Sequence, residues 1–279
     1  MASPLITLTT DFGPRDGYVA AMKGVILGIC PDASIVDVSH DIEPQDVAQA
    51  ALVLSSAAPY FPAHAIHVAV VDPEVGSDRR PLLLTATKGR YVGPDNGIFT
   101  HVLAECGLVA PETPAGDEAV ALRAQLPSGC AAFTLDRPRF WLSPLSRTFH
   151  GRDLFAPVAA YLALGTSPEE LGTETGHVNV LPLPRPRRGR GRVDGNVIHV
   201  DRFGNLVTNI RLDGAPTEVG VEVAGRTISG LSPSYREGGE LLAIVGSHGY
   251  LEVAWWRDSA ARKLGAKVGT PVTVLGIQE

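Results

Sequence analysis

The 279-residue chain has no uninterrupted apolar run near the roughly 20 residues that a membrane-spanning helix needs. No basic segment precedes the short apolar stretch in MASPLITLTTDF, so a secretory leader is not expected. Basic charge is not in surplus. The 24 Lys and Arg against 30 Asp and Glu leave a net charge of −6, which argues against salt-driven binding to nucleic acid or an anionic membrane. Cysteine is scarce: Cys30, Cys106 and Cys130 stand alone, without a CxxC pair, and read as reduced structural thiols of a cytoplasmic protein. Nothing near them in sequence is built to depress a thiol pKa as a nucleophile requires. The histidines form no HxH or HExxH, and the acids are not paired at ligand spacing, so no metal is expected. A Walker loop, GxGxxG and GxSxG are all missing. The chemistry is therefore expected to run without metal, nucleoside triphosphate or acyl-serine.

What is present is ordinary globular material, 44% hydrophobic and 19% charged, enough for one large or two modest domains. The first half alternates strand and helix signals. PLITLTT, ASIVDVSH, AIHVAVVD and PLLLTATKG read as strands, and GYVAAMKGVILGIC, DVAQAALVLSSAAPYF and GIFTHVLAEC as helices, with Asp46 an N-cap. This order predicts an α/β domain with a mostly parallel sheet covered on both faces. Sites in such sheets collect at the carboxyl ends of strands, where Asp11, Asp72 and the turn GPDNG would lie. Residues 110–131 read as a long surface excursion with a short helix in DEAVALRAQ, and RDLFAPVAAYLALG as a helix with a glycine stop. The arginine-rich segment 181–196 reads either as a solvated linker or as an anion-binding patch. Beyond it, short strands and turns predict an all-β barrel or sandwich. The expected domains are 1–184 and 185–279.

Four polar clusters sit at expected strand ends or tight turns. They are TTDFGPRDGY (9–18) with Asp11 and Asp16, VVDPEVGSDRR (70–80) with Asp72, Arg79 and Arg80, TFHGRD (148–153) with His150 and Asp153, and DRFGNLVTN (201–209) with Asp201, Phe203 and Asn205. Each also has a plain structural reading. Asp72 could bond its own turn, Asp153 is expected to N-cap the helix that follows it, and RFGN could be a simple hairpin turn. Spacing alone reaches only an α/β enzyme with a polar site.

The motifs TDFGPRDGYVAAMKG, VVDPEVG with its following arginines, GPDNGIF, TFHGRDLFAPVAA, DRFGNLVTNI and GYLEVA occur in order along nearly the whole chain. Together they resemble the adenosine-forming S-adenosylmethionine (SAM) hydrolases, or SAM hydroxide adenosyltransferases, relatives of the SAM-dependent fluorinase and chlorinase. The resemblance implies an N-terminal α/β domain, a C-terminal β-barrel and a homotrimer, with SAM between one subunit's N-terminal domain and its neighbour's C-terminal domain. It implies no cofactor, SAM itself being the substrate. Asp72, Arg79 and His150 match the family's catalytic set, with Arg80 an adjacent competitor for the arginine role. Asp11 would bind the ribose hydroxyls and Asp16 would lie near the methionine end. Asp201 and Ser247 would hold the methionine amino group, Asn205 would read the adenine edge, and Phe203 would pack on the base. The halogenating relatives carry tyrosines where Asp72 and His150 stand and a serine where Gly151 stands, which points here to water as nucleophile. A non-catalytic SAM sensor would keep Asp11, Asp201 and Asn205 while dispensing with Asp72 and His150. Glu74 stands where the family usually has glycine, and would be strained if that position needs positive φ. Trp255 and Trp256 would pack either on adenine or in the barrel core.

Overall fold

The structure, a computed structural model, describes residues 3–111, 120–212 and 218–276. It forms two compact units, Met1–Pro182 and Leu183–Glu279.

The first unit opens with β1 (Leu5–Thr10), α1 (Tyr18–Ile29), β2 (Ser34–Ser39), α2 (Val47–Ala57) and β3 (Ile66–Val70). Asp46 caps α2 as expected, accepting the Gln49 N–H at 2.8 Å. A hairpin of β4 (Pro81–Ala86) and β5 (Gly89–Pro94) leads to α3 (Thr100–Glu105). There follow β6 (Leu122–Gln125), β7 (Ala131–Thr134), α4 (Ala156–Ala163), α5 (Pro168–Leu171), β8 (Thr173–Thr175) and β9 (His177–Val180). Seven strands make one sheet in the order β2–β1–β3–β5–β4–β7–β8. The β2, β1, β3 and β5 pairings are parallel, and those of β4, β7 and β8 antiparallel. The sheet is thus mixed, with its parallel part at the core.

Strands buried on both faces need apolar residues throughout rather than an alternation, and β3, IHVAV, is buried at every position. One face carries Met22 and Ile26 of α1 with Val158 and Leu162 of α4, packed on Ile6, Leu8 and Val68. The other carries Ala50 and Leu54 of α2 with Val102 and Leu103 of α3, packed on Ala69, Leu82 and Tyr91. At about 25 cal/mol per Å2 of apolar area removed from water, these two layers supply the main driving force for the unit.

One expectation changes here, and one strand emerges that the sequence reading left unassigned. Leu122–Gln125 is an antiparallel strand paired with β9, not part of a helix; the rest of the expected helix up to residue 119 lies outside the described residues. A cross-strand partner overrode the helix propensity of LRAQ. The segment GRYVGP, punctuated by glycine and proline, is a central strand (β5) held between β3 and β4.

The second unit contains β10 (Arg187–Gly189), β11 (Arg192–Val200), β12 (Leu206–Arg211), β13 (Gly220–Val223), β14 (Arg226–Ser229), β15 (Leu241–Val245) and β16 (Tyr250–Trp255). The short helix α6 (Ala260–Leu264) and β17 (Pro271–Leu275) complete it. All pairings are antiparallel, in the order β14–β13–β17–β11–β12–β16–β15 with β10 beside β11. A register shift between Val197 and His199 divides β11, whose first half pairs with β17 and whose second half pairs with β12. Such an irregularity bends a strand, and it curls this sheet into a nearly closed barrel around Val197, Ile210, Val221, Val253 and Val274. The arginine-rich segment is therefore not a plain linker: Arg187–Gly189 and Arg192–Asp194 form a hairpin, with Arg192 paired to Asp194. Among the described residues no helix is long and apolar enough to cross a membrane.

Candidate active site

Parallel strands β1, β3 and β5 end on the same side of their sheet, and each is followed by polar residues: Asp11, Asp72, and Asp95 with Asn96. After Asp72 the chain turns sharply. The Val75 N–H donates to the Asp72 carbonyl at 3.2 Å, the Ser77 N–H to the Glu74 carbonyl at 3.0 Å, and Gly76 takes φ +81°. A Cβ at Gly76 would run into the Arg147 carbonyl oxygen, so glycine is required there. Positive φ falls on Gly76 and not on Glu74, which sits unstrained and exposed. Glu74 lines a cavity of about 520 Å3 together with Gln45, Asp46, Asp95 and Asn96.

The turn folds Arg79 back onto Asp72. Its Nε donates to both carboxylate oxygens at 2.9 Å, and its Nη2 donates to Oδ2. The two side chains are only 3% and 5% exposed, so the pair is shielded from screening by water. The guanidinium also lies 5.3 Å from the centre of the Phe155 ring. Arg80 points elsewhere, binding Asp95 at 3.0 Å, Thr175 at 3.2 Å and the His177 carbonyl at 3.1 Å. Of the two arginines, Arg79 is the one gathered with Asp72.

The third member arrives from the loop before α4. Residues Gly151–Phe155 form a π-turn, a feature found often at functional sites, and α4 continues from it. Asp153, expected as an N-cap, does something different. Buried to 1% exposure, its carboxylate accepts the Ser146 N–H at 2.8 Å and the Arg152 Nε–H at 2.6 Å, closing the loop that carries His150. The first residue before α4 is Phe155, with no side-chain cap. Nδ1 of His150 lies 2.7 Å from Arg79 Nη2. A guanidinium only donates, so Nδ1 accepts and the neutral ring carries its proton on Nε2. Burial, then the Arg79 charge, lowers the His150 pKa from its usual value, outweighing the opposing pull of Asp72 and Asp153. The ring is thus neutral near pH 7 and offers Nε2–H as a donor.

Asp11 is half-buried and its Oδ2 accepts the Gln45 N–H at 2.9 Å. Phe12, Tyr18 and Phe149 form an aromatic cluster, with Phe12–Phe149 centroids 5.7 Å apart, so the Asp11 turn rests directly on the His150 loop. Gly151 is pressed beneath it: a Cβ would meet Met22 Sδ and Phe12 Cε2 at 3.2 Å. Asp16 is exposed in the turn before α1 and is not drawn into the Asp72–Arg79–His150 group. The GPDNG turn contributes a support that sequence reading left without a role. Asn96 Nδ2 donates to the Val71 carbonyl at 2.9 Å, fixing the strand end just before Asp72.

In the second unit the remaining expected residues cluster at two turns. Asp201 Oδ1 accepts the N–H groups of Phe203 and Asn205 at 2.9 and 2.8 Å, and Oδ2 accepts Asn205 Nδ2 at 2.8 Å. Asp201 therefore shapes its own turn, with Gly204 at φ +83°. Phe203 projects from that turn and is 77% exposed, while Asn205 is buried. Ser247 is exposed, its Oγ 3.1 Å from His248 Nδ1. Sequence reading missed Tyr235 and Glu252. The Tyr235 hydroxyl donates to Glu252 Oε2 at 3.0 Å; burial, then the Asp201 charge, raises the Glu252 pKa, and the Tyr235 pKa is pushed up to about 12. Trp255 packs against the barrel core and Trp256 is partly exposed under the Arg257 guanidinium.

A family model described as the SAM hydroxide adenosyltransferase N-terminal domain matches residues 6–172, and its C-terminal counterpart matches residues 195–273. The chain is 41% identical over 282 residues to an (R)-S-adenosyl-L-methionine hydrolase of Thermus thermophilus, covering 95% of this chain and 97% of that one. A fluorinase of Actinoplanes is more distant, 25% identical over 311 residues, covering 98% of this chain and 97% of the relative. A crystal structure of an uncharacterized conserved protein from Thermotoga maritima superposes with a TM-score of 0.84 at 31% identity, over 97% of this chain and 99% of that one. The matches span both units in order and include every turn that carries the polar clusters, so the protein belongs to the SAM hydroxide adenosyltransferase family.

Proposed function

We infer that this protein hydrolyses S-adenosylmethionine to adenosine and L-methionine by attack of water at C5′. The observation that carries the reading is the buried Asp72–Arg79–His150 group, in a chain whose near relatives are curated as hydrolases of this substrate. The sulfonium leaves as a neutral thioether, so neither a general acid nor a cofactor is needed. What is needed is one water in line with the C5′–S bond. His150 Nε2–H is a donor to that water's oxygen. Asp72 keeps lone pairs beyond those that Arg79 occupies, and one of them accepts the water proton. As the C–O bond forms, the attacking oxygen becomes strongly acidic, so a carboxylate held by an arginine is a sufficient base. The Arg79 charge favours the hydroxide-like oxygen and fixes both partners. The same carboxylate repels a halide anion.

Asp11 would accept the ribose hydroxyls. A phosphate-binding glycine loop would bring positive partial charge towards a sulfonium, whereas carboxylates suit a cationic, phosphate-free ligand. Asp16 is assigned to the methionine end, Asp201 and Ser247 to its amino group, Asn205 to the adenine edge and Phe203 to the base. These groups are divided between the two units, and Phe203 stands exposed on its turn. The family resemblance extends this reading to a homotrimer in which the first unit of one copy meets the second unit of its neighbour. The free cysteines support a reducing, cytoplasmic setting.

The test is to incubate purified protein with SAM in chloride-free buffer, then with chloride or fluoride, and identify the nucleoside by chromatography and mass. Equal adenosine and methionine in every buffer is expected. A 5′-haloadenosine, or SAM recovered intact, would overturn the reading.

A further inference from the structure

The Asp11 turn is held from one side by a short segment that the proposed chemistry leaves unused. Asp37 and Ser39 of β2 face Leu8 and Thr9 of β1, with Val38 left over in a register shift. An extra residue of this kind re-aims the side chains beyond it. It brings His40 over the end of β1, where it grips the turn twice. Its carbonyl accepts the Gly13 N–H at 2.8 Å, and its Nδ1 lies 2.8 Å from the hydroxyl of Thr10, a fully buried residue. Thr10 Oγ1 in turn accepts the Phe12 N–H at 3.3 Å. Nε2 faces Asp37 Oδ1 at 3.1 Å. Asp37 itself is anchored by Lys23 of α1 at 2.6 Å. Five residues further along, Gln45 holds φ +69°, a left-handed backbone uncommon for a residue with a side chain. Its N–H donates to Asp11 Oδ2.

Residues 10–13 and 40–45 are therefore closed on each other by three bonds, one of them to the Asp11 carboxylate and two to His40. We propose that His40 is a positioning residue for ribose recognition: it acts through Thr10 and Gly13 to hold Asp11 at the angle that the ribose hydroxyls require. The proposal rests on the assignment of Asp11 to the ribose. Ribose contacts are present in both the bound substrate and the transition state, so loosening them raises KM more than it lowers kcat.

The test compares His40→Ala, His40→Asn and Asp11→Asn with the unaltered full-length chain, using SAM and its 2′,3′-dideoxy analogue. His40→Ala should lower kcat/KM for SAM by about 10- to 100-fold, chiefly through KM, since misplacing a binding group by an ångström carries a penalty of that order. His40→Asn, whose amide reaches the Nδ1 position, should recover most of it. With the dideoxy analogue, which has no hydroxyls for Asp11, His40→Ala and the unaltered protein should turn over alike. An equal loss on both substrates would make His40 merely structural and overturn the proposal. If Asp11→Asn raised KM for SAM while His40→Ala did not, the proposal would fail and the Asp11 assignment would stand. If Asp11→Asn left KM unchanged, the Asp11 assignment itself would fall. Should His40→Ala fold poorly, Thr10→Val, which removes the hydroxyl that Nδ1 meets at nearly constant shape, gives the same discrimination through the ratio of the two substrates.

Discussion

Breaking the Asp72–Arg79 pair one residue at a time should cost far more stability than removing it whole. Asp72→Ala strips the Arg79 guanidinium, 3% exposed in the intact pair, of its carboxylate bonds and leaves His150 as its remaining hydrogen-bond acceptor among the described residues. Arg79→Met leaves the Asp72 carboxylate, 5% exposed, facing a thioether. Removing one partner of a buried ion pair typically costs about 3–5 kcal/mol, mostly the desolvation of the charge left behind. The double variant, Asp72→Ala with Arg79→Met, buries no orphan charge, and replacing both partners by apolar groups is often close to neutral. The cycle should therefore be strongly non-additive, the double variant standing nearer to the unaltered protein than either single. For a unit of this size each single change should lower its melting temperature by roughly 6–20 °C. Native-state hydrogen exchange at the β1 and β3 amides isolates the first unit from the second. If the two single costs simply added in the double variant, or if either fell below about 1 kcal/mol, the pair would not be the shielded unit described. All three variants should lose turnover, so stability and catalysis are read separately.

Two further predictions concern the first unit. His67 is fully buried, its Nδ1 bonded to Thr7 at 2.8 Å and its ring stacked on Tyr91, and burial lowers its pKa to about 4. The unfolded chain then binds the extra proton first, so stability is intact above the usual value of 6.5 and falls by about 3 kcal/mol as pH drops from there towards 4. Urea midpoints at about pH 7.5 and about pH 5 should show this slope reduced in His67→Leu; an unchanged slope would assign the acid sensitivity to other groups. Asp46→Ala should cost about 1 kcal/mol by uncapping α2, and Asp46→Ser should retain most of it; equal losses would show that the cap bond to Gln49 contributes little.

The parallel half of the first unit was legible because its strands and helices carry local signatures. Apolar runs such as IHVAV are followed by turn residues, and the Asp46 cap sits immediately before an apolar helical period. The antiparallel half was not. The strands LRAQ, AAFT and TET are three or four residues long and owe their state to partners distant in sequence. Glycine in GRYVGP reads as a turn signal, yet at Gly93 it serves close approach, since a Cβ there would collide with the Ala69 carbonyl of the neighbouring strand. The arginine-rich hairpin was hidden in the same way: its composition says solvent, and only the pairing with β11 makes it a strand.

The site divides along the same line between chemistry that a motif announces and geometry that only the fold supplies. The family resemblance placed Asp72, Arg79 and His150 together as candidates, but sequence could not separate Arg79 from Arg80, which are adjacent and chemically identical. The sheet separates them. Arg80 immediately precedes β4 and its side chain reaches Asp95 and the His177 carbonyl of β9, while Arg79 follows the turn at Gly76 that folds it back onto Asp72. Nor could sequence fix the direction of the proton on His150. The Arg79 bond to Nδ1 does so, because a group with donors only leaves the imidazole one way to answer. In the proposed reaction His150 is therefore the donor that orients the nucleophile. The base in that proposed reaction is Asp72, whose remaining lone pairs are the acceptors at that end of the group.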